Sequence, residues 1–584
     1  MKSRPNDACP CGSGRKYKKC HGSPLAAAQR VGALFPASAR DLSSLQRAPP
    51  SADACWSLGA LAERAGDFAG ARDCYAQLSL LAPENATAFF ALGNSQARLF
   101  SFNEARQSYL RAIELAPDLP GVWGNLGNVE KYLGRFPEAL DCYRRALEQS
   151  ADPAEQARLH SNLLVSLHYD DGLSHEALYE AHREWERRYA QALCPPLARS
   201  PARSDSREMI RIGYVSGSFD GRLLSHFLRK ILVQHDRSQF VIYLYSSTRK
   251  HDASSAAMRE ACDVWVDIAS LDDQAAAQRI ADDRIDLLVD LDGHVPGGRP
   301  LVFAHKPAPV QVEWLDYFDT SGMRAIDYLL TDPYTTPPDS PQRFAETPFF
   351  MPHSRFCYTA PAVAPDVAPM PCTAGAPFTF GSFNRHDKLH PSLLRVWAEV
   401  LHALPASRLL IKNHALQIPA VRKVLANSFA ALGIERERLL LHGPSGYGEM
   451  LAEYAEVDVA LDTFPYNGGL TTCECLWMGV PLVALEAQRM IGRQSAAMLR
   501  LLGLDDWVAT TPADYVRLAV EWHGRREAVA PLRATLRQRM ALSPLCDTAR
   551  FTRDLEAAYR EMRRRQPAAV QTPLICCSDD SPVS

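Results

Sequence analysis

The strongest constraint on this chain is a period of 34 residues near its start. Gly59, Gly93 and Gly127 recur at that interval, as do Phe68, Phe102 and Phe136; Ala71, Ala105 and Ala139; and Tyr75, Tyr109 and Tyr143. Pro83 and Pro117 close the first two units. Several kinds of column sharing one period indicate a stacked helical array in which each unit buries its apolar face against the next. The small residue lets paired helices approach, the aromatics fill the space between them, and the proline ends the second helix. Three units span roughly 53–150. Helical patterning continues over 155–192, so the segment 151–194 is expected to cap the array.

After a Pro/Ser/Arg-rich linker at 195–208 the pattern changes to short apolar runs alternating with amphipathic stretches. That alternation predicts α/β structure with parallel sheets. Candidate strands lie at 211–216, 240–246, 286–293, 310–315 and 327–332. A Pro/Ala-rich break runs through 359–377, and the pattern restarts at 378–383, 408–413, 438–443, 457–462 and 481–486. Two doubly wound domains, 209–360 and 375–565, are therefore expected to face a cleft, with ligands beyond the carboxyl ends of their strands. The tail over 566–584 holds few large apolar residues besides Leu574 and Ile575 and is expected to be disordered.

Composition narrows the function. A formal net charge of −3 with 22% charged residues excludes a general nucleic-acid binder, which needs a basic surface. The sequence holds no run of 18 apolar residues and no apolar leader, so neither a membrane span nor export is expected, and the predicted setting is cytoplasmic. Most of the fifteen cysteines stand singly in helix-like or strand-like runs and read as small buried hydrophobes. The exception is a cluster: Cys9, Cys11, Cys20 and His21 lie within 13 residues around the turn Gly12-Ser13-Gly14. Four such ligands at this spacing can close a tetrahedral zinc site, with redox thiols or an accidental cluster as the alternatives. The segment PNDACPCGSGRKYKKCHG resembles the SEC-C motif, which implies a structural zinc and a docking role rather than catalysis.

The chemically richest segment is LDTFPYNGGLTTCECLWMGVPLV at 461–483. A strand ends near Asp462, a Gly-containing loop follows, and a helix begins near Thr471. Backbone N–H groups at a helix N-terminus offer a diphosphate an anion site. Thr471 and Thr472 add hydroxyl donors, and Glu474 is placed to accept from ribose hydroxyls. Lys388, in a loop before the helix opened by Pro391, is placed to neutralise a leaving diphosphate without a metal ion. Each feature alone has a bland reading as surface lysine or helix cap.

Together these segments resemble the protein O-GlcNAc transferase family, including its SPINDLY-like and bacterial branches. The resemblance rests on LLVSLHYDDGLSHEALYEAHREW, HKPAPVQVEWL, IDYLLTDP, SFNRHDKLHP, ALDTFPYNGGLTTCECLWMGVPLV and SPLCDTARFTRDLEAAYREM, and the 34-residue units resemble tetratricopeptide repeats. It implies a helical solenoid followed by a GT-B fold of two Rossmann-like halves. It also implies inverting, metal-independent transfer of a sugar, GlcNAc from UDP-GlcNAc, to Ser or Thr of proteins held by the repeats. Carried onto this sequence, Lys388 matches the donor-phosphate lysine, with His226 or His294 shaping the acceptor side; a buried, structurally satisfied histidine is an equal reading of His226. Asn384, Asn467, Gly468, Gly469, Thr471, Thr472, Glu474 and Arg493 form the donor set. The chain departs from the animal enzymes at Arg222, at Gly469 in the Gly469-Leu470-Thr471 turn and at Met450, each standing where those have histidine, and at Arg385-His386-Asp387. The alternatives are an adaptor that binds partners without strong catalysis, a GDP-fucose donor, or an asparagine acceptor.

Overall fold

A computed structural model describes residues 51–170, 172–194, 209–248, 252–565 and the backbone of 574–575. The cysteine/histidine cluster at 9–21, the linker at 195–208 and the rest of the tail lie outside the described residues. By contacts the chain divides near residue 163 into a helical unit and an α/β unit.

The helical unit contains three hairpins: α1 (Ala52–Arg64) with α2 (Phe68–Leu81), α3 (Ala86–Arg98) with α4 (Phe102–Leu115), and α5 (Val122–Tyr132) with α6 (Phe136–Gln149). The Ser51, Asp67 and Asn85 side chains accept from the N–H three residues on and start α1, α2 and α3. The periodic columns have a direct steric cause. A Cβ on Gly59, Gly93 or Gly127 would sit 2.6, 2.5 or 2.8 Å from the ring of Tyr75, Tyr109 or Tyr143. Each tyrosine is buried against its glycine. Its hydroxyl then bonds within the same hairpin, Tyr109 to Asn94 at 2.8 Å and Tyr143 to Asn128 at 2.7 Å.

Helix α7 (Pro153–Leu167) straddles the division, and α8 (His175–Trp185) belongs to the α/β unit. The sequence reading had α8 capping the repeats. Instead Trp185 and His182 are buried against His294 and Tyr317, and Arg183 donates to the Gly322 carbonyl.

Within the α/β unit, all strands run parallel in two sheets. The first has the order β14-β7-β6-β5-β4-β1-β2-β3, from β1 (Ile210–Ser216), β2 (Phe240–Ser246), β3 (Val264–Asp267), β4 (Leu287–Asp290), β5 (Val310–Glu313), β6 (Tyr328–Thr331), β7 (Thr347–Phe350) and β14 (Leu574–Ile575). The second has the order β10-β9-β8-β11-β12-β13, from β8 (Thr379–Ser382), β9 (Arg408–Lys412), β10 (Leu439–His442), β11 (Val459–Leu461), β12 (Leu482–Leu485) and β13 (Val508–Ala509). The order reverses between β1 and β4 in one sheet and between β8 and β11 in the other. These are the two switch points, and this is the doubly wound pair expected of a GT-B fold.

The helices that matter below are α9 (Pro391–Ala403), α10 (Leu470–Trp477), α11 (Gln494–Leu501) and α12 (Thr548–Arg564). Sequence reading missed β3, β7, β13 and β14. They are two to four residues long, and Pro348 inside β7 argues against a strand. In the tail, Leu574 and Ile575 pair with Phe349 and Phe350. The last helix also crosses the expected boundary. Tyr559 on α12 bonds Tyr214 of β1 at 3.1 Å, Glu556 takes the Asp236 N–H at 2.8 Å, and Phe551 stacks on Trp314. By packing, α12 thus belongs to the first sheet, although it follows the second in sequence.

Candidate active site

The two switch points differ in what fills them. In the first sheet, Asp292 follows β4 and turns its carboxylate inward. It accepts from Ser216 Oγ at 2.8 Å and from the Gly217 N–H at 2.6 Å. Burial pushes this carboxyl up to about 6, and its own protein supplies the donors that an anion would otherwise use.

In the second sheet the donors are left open. The loop after β11 carries Asp462, whose Oδ1 accepts from the Gly468 N–H at 2.9 Å and folds the Gly-containing turn back over the strand end. Asn467 is fully buried and pins the turn by donating to the Thr463 carbonyl at 2.8 Å. Helix α10 then starts, and the N–H groups of Gly469, Leu470 and Thr471 have no acceptor among the described residues. Three open N–H groups at a helix N-terminus beyond parallel strand ends form an anion cradle.

Lys388 comes from the neighbouring loop, in the short turn between β8 and α9. Its Nζ donates to the Asn467 carbonyl and lies 4.1 Å from the centre of the Tyr466 ring. The side chain is only 8% exposed. Burial, with Arg385 adding to it, lowers the ammonium to about 7, against the pull of Asp462, Asp387 and Asp316. An amine so placed gains its full charge when an anion arrives beside it. Asn384 links the two loops: its Oδ1 accepts from Thr471 Oγ1 at 3.0 Å and its Nδ2 faces Asp462 Oδ1 at 3.4 Å. Asn384, Asp462, Thr471, Thr472 and Tyr454 line a recess just beyond these strand ends.

Lys388, Asn384, Asn467, Gly468, Gly469 and Thr471 are thus brought together. Other residues named from the sequence sit differently. Thr472 lines the same recess, but its hydroxyl lies 2.8 Å from Ser495 Oγ on α11, and Ser495 donates to the Gly468 carbonyl. Glu474 is buried one turn into α10. Arg493 does not join the set: it pairs with Glu486 at 2.6 Å and donates to the Tyr334 and Ala487 carbonyls. It ties the loop after β12 to the first half.

The two histidines are also engaged. His226 Nδ1 donates to the Thr359 carbonyl at 2.7 Å, so Nε2 accepts from the Tyr447 hydroxyl at 2.9 Å. Both ring nitrogens are occupied. His294 was expected to face the acceptor, because a Gly-rich loop beyond a strand is a poor place for a core side chain. It is instead 1% exposed, since α8 returns over that loop and sets Trp185 edge-on at 4.7 Å; Nε2 donates to the Ser321 carbonyl at 2.9 Å.

Sequence reading missed the groups that frame Lys388. Tyr169, just after α7, donates to Asp387 at 3.1 Å, and Arg385 donates to the Tyr169 hydroxyl. Tyr169 also meets Tyr466, ring centres 5.4 Å apart. Only Arg385 and Asp387 carried a signal, as departures from the family pattern.

Comparisons with known proteins converge on this region. The family model of Glycosyl transferase family 41 matches residues 191–362 and 374–555, the SEC-C motif matches 6–23, and tetratricopeptide repeats match 86–119 and 120–152. The chain is 35% identical over 415 residues to the probable UDP-N-acetylglucosamine–peptide N-acetylglucosaminyltransferase SPINDLY of Solanum lycopersicum, covering 69% of this chain and 44% of that protein. The Oryza sativa SPINDLY is 36% identical over 412 residues, with the same coverage. This chain therefore spans less than half the length of these plant relatives. Among solved structures, a mutant of the Thermobaculum terrenum O-GlcNAc transferase superposes with a TM-score of 0.81 at 35% identity, covering 88% of this chain and 97% of that one.

Proposed function

Because the chain belongs to glycosyl transferase family 41, we propose that it moves a sugar from a nucleotide diphosphate donor to Ser or Thr hydroxyls of proteins. Transfer proceeds with inversion and without a catalytic metal. The donor is UDP-GlcNAc, in keeping with the names of the plant relatives. The observation that carries this reading is the pairing of Lys388 with three open N–H groups at the start of α10. A departing diphosphate needs its developing charge stabilised, and a buried ammonium beside a helix N-terminus supplies that in a low-dielectric site. Asn467 and Asn384 hold lysine and helix in register, so little reorganisation is needed as charge develops. The helical repeats are the proposed seat for the protein acceptor. Cys9, Cys11, Cys20 and His21 are the proposed zinc ligands, holding a structural ion away from the chemistry. The proposed setting is cytoplasmic.

The test is calorimetric titration of the full chain with UDP, UDP-GlcNAc and GDP-fucose, before and after a chelator, alongside Lys388→Ala. Uridine nucleotide binding that survives the chelator and weakens at least about 100-fold in Lys388→Ala supports the reading. Preference for GDP-fucose keeps the mechanism and changes the sugar. Folded protein that binds none of the three sinks the proposal and favours an adaptor.

A further inference from the structure

Inverting transfer needs a group that takes the acceptor proton on the side of the sugar away from the leaving diphosphate. Both histidines named from the sequence are engaged in hydrogen bonds within the protein fold. Asp292 and Asp387 are likewise occupied, by Ser216 and Gly217 and by Tyr169. Among the described residues, Glu313, Asp290 and Asp319 keep carboxylate oxygens without partners but are sealed from solvent, whereas Asp316 beyond the end of β5 is partly open. The structure assigns the proton-accepting role to Asp316, facing Lys388 from the opposite half; this rests on the transferase reading above.

Asp316 lies just past the carboxyl end of β5, where a doubly wound sheet presents its functional side chains. Leu315 before it has φ +96°, a conformation that L side chains rarely adopt. The surroundings hold this strain in place. Trp314 N–H donates to the Asp290 carbonyl at 2.9 Å, Asp316 N–H donates to the Leu291 carbonyl at 3.0 Å, and the Trp314 indole donates to the Arg355 carbonyl at 3.0 Å. Its effect is selective: Leu315 and Tyr317 are buried at 1% and 2% exposure, while Asp316 between them stays partly open. A strained, over-determined turn that exposes one polar side chain is a feature of functional sites. The Asp316 carboxylate makes no hydrogen bond among the described residues.

The other half meets this turn directly. Phe318 packs against Tyr466, ring centres 6.4 Å apart, and Lys388 Nζ sits over that same Tyr466 ring. The charged groups facing Asp316 are Asp292, which raises its pKa, and Arg385, Arg355 and Lys388, which lower it; burial outweighs them and holds the carboxyl at about 7. In the reaction the acceptor Oγ–H gives its proton to Asp316 as the Oγ–C1 bond forms. The C1–O bond to the diphosphate breaks, its electron pair leaving on the phosphate oxygen beside Lys388. Asp316 then returns the proton to water.

The test compares native protein with Asp316→Asn and Asp316→Glu. Water serves as the acceptor, and release of nucleoside diphosphate is followed from the nucleotide sugar that the titration identifies. Asp316→Asn is expected to bind that donor within about 3-fold of native affinity and to lose 10²- to 10⁴-fold in kcat. The acid limb of the native pH profile, near pH 7, is expected to vanish with it and to return, displaced, in Asp316→Glu. A folded Asp316→Asn that keeps native kcat and the same acid limb overturns the assignment while leaving the transferase reading intact. Absence of donor binding or turnover in the native protein overturns both.

Discussion

Donor binding should take up a proton, and the amount follows from the setting of Lys388. Burial lowers its ammonium to about 7. A diphosphate held at the N-terminus of α10 places negative charge next to Nζ, and an opposite charge a few ångströms away in a buried site raises a lysine by roughly 3 units or more. Bound Lys388 is then fully charged throughout the neutral range. Binding should draw in about 0.1 proton at pH 6, 0.5 at pH 7 and 0.9 at pH 8. Affinity should fall by about 25-fold between pH 6.5 and 8.5, roughly 1.9 kcal/mol. The direction is fixed: tighter below pH 7, weaker above. Calorimetry in two buffers of different ionisation enthalpy measures the uptake directly. The probe must be a nucleotide sugar, whose diphosphate diester does not titrate in this range, rather than a free nucleoside diphosphate.

Two variants apportion that uptake. Asp316→Asn should keep the share due to Lys388, whereas Lys388→Met should abolish it. Lys388→Met also has a stability signature. The folded value lies below the unfolded 10.5, so the cost of burying the amine is complete below about pH 7 and disappears as pH rises past 10.5. Its removal should stabilise the ligand-free protein by up to about 5 kcal/mol at pH 7. Tight binding with uptake below about 0.2 proton at pH 8, or a pH-independent affinity, would refute the argument.

Two further outcomes test other parts of the fold. Gly93→Leu drives a side chain into the Tyr109 ring, 2.5 Å from where its Cβ must lie. It should destabilise the helical unit by about 1–3 kcal/mol in thermal circular dichroism while donor affinity stays native, and an unchanged melting curve would remove the steric account of the 34-residue period. Glu313 on β5 is fully buried and its carboxyl is held well above the usual carboxylate range by burial, with Asp290 and Glu346 adding to it. Its folded value therefore exceeds the unfolded one, so stability falls as pH rises above about 4.5. Glu313→Gln should match native stability near pH 4 and exceed it at pH 8; equal melting at both would show that Glu313 is ionised in the folded protein.

The sequence by itself determined the elements whose cause is local or periodic. Gly, Phe, Ala and Tyr at 34-residue intervals dictate paired helices, because each Tyr ring occupies the space a Cβ on its glycine would need. The long apolar runs became the central strands, since strands buried on both faces leave little polar residue in the pattern. Lys388 and the 467–471 turn were legible because a loop beyond a strand and a helix start are both written in neighbouring residues. What only the tertiary structure decided depends on segments far apart in the chain. His294 looked available until α8, more than a hundred residues earlier, was seen to cover it with Trp185. Thr472 and Arg493 fit a ligand contact by local pattern, and only the fold supplies their protein partners Ser495 and Glu486. Asp316 carried no local signal. Its standing comes from a strained Leu315, a hydrogen bond to Leu291, and the proximity of Phe318 to Tyr466, about 150 residues further on. A side chain's type and spacing are local, but its protonation, its partners and its access to solvent are set by whatever else the fold packs around it.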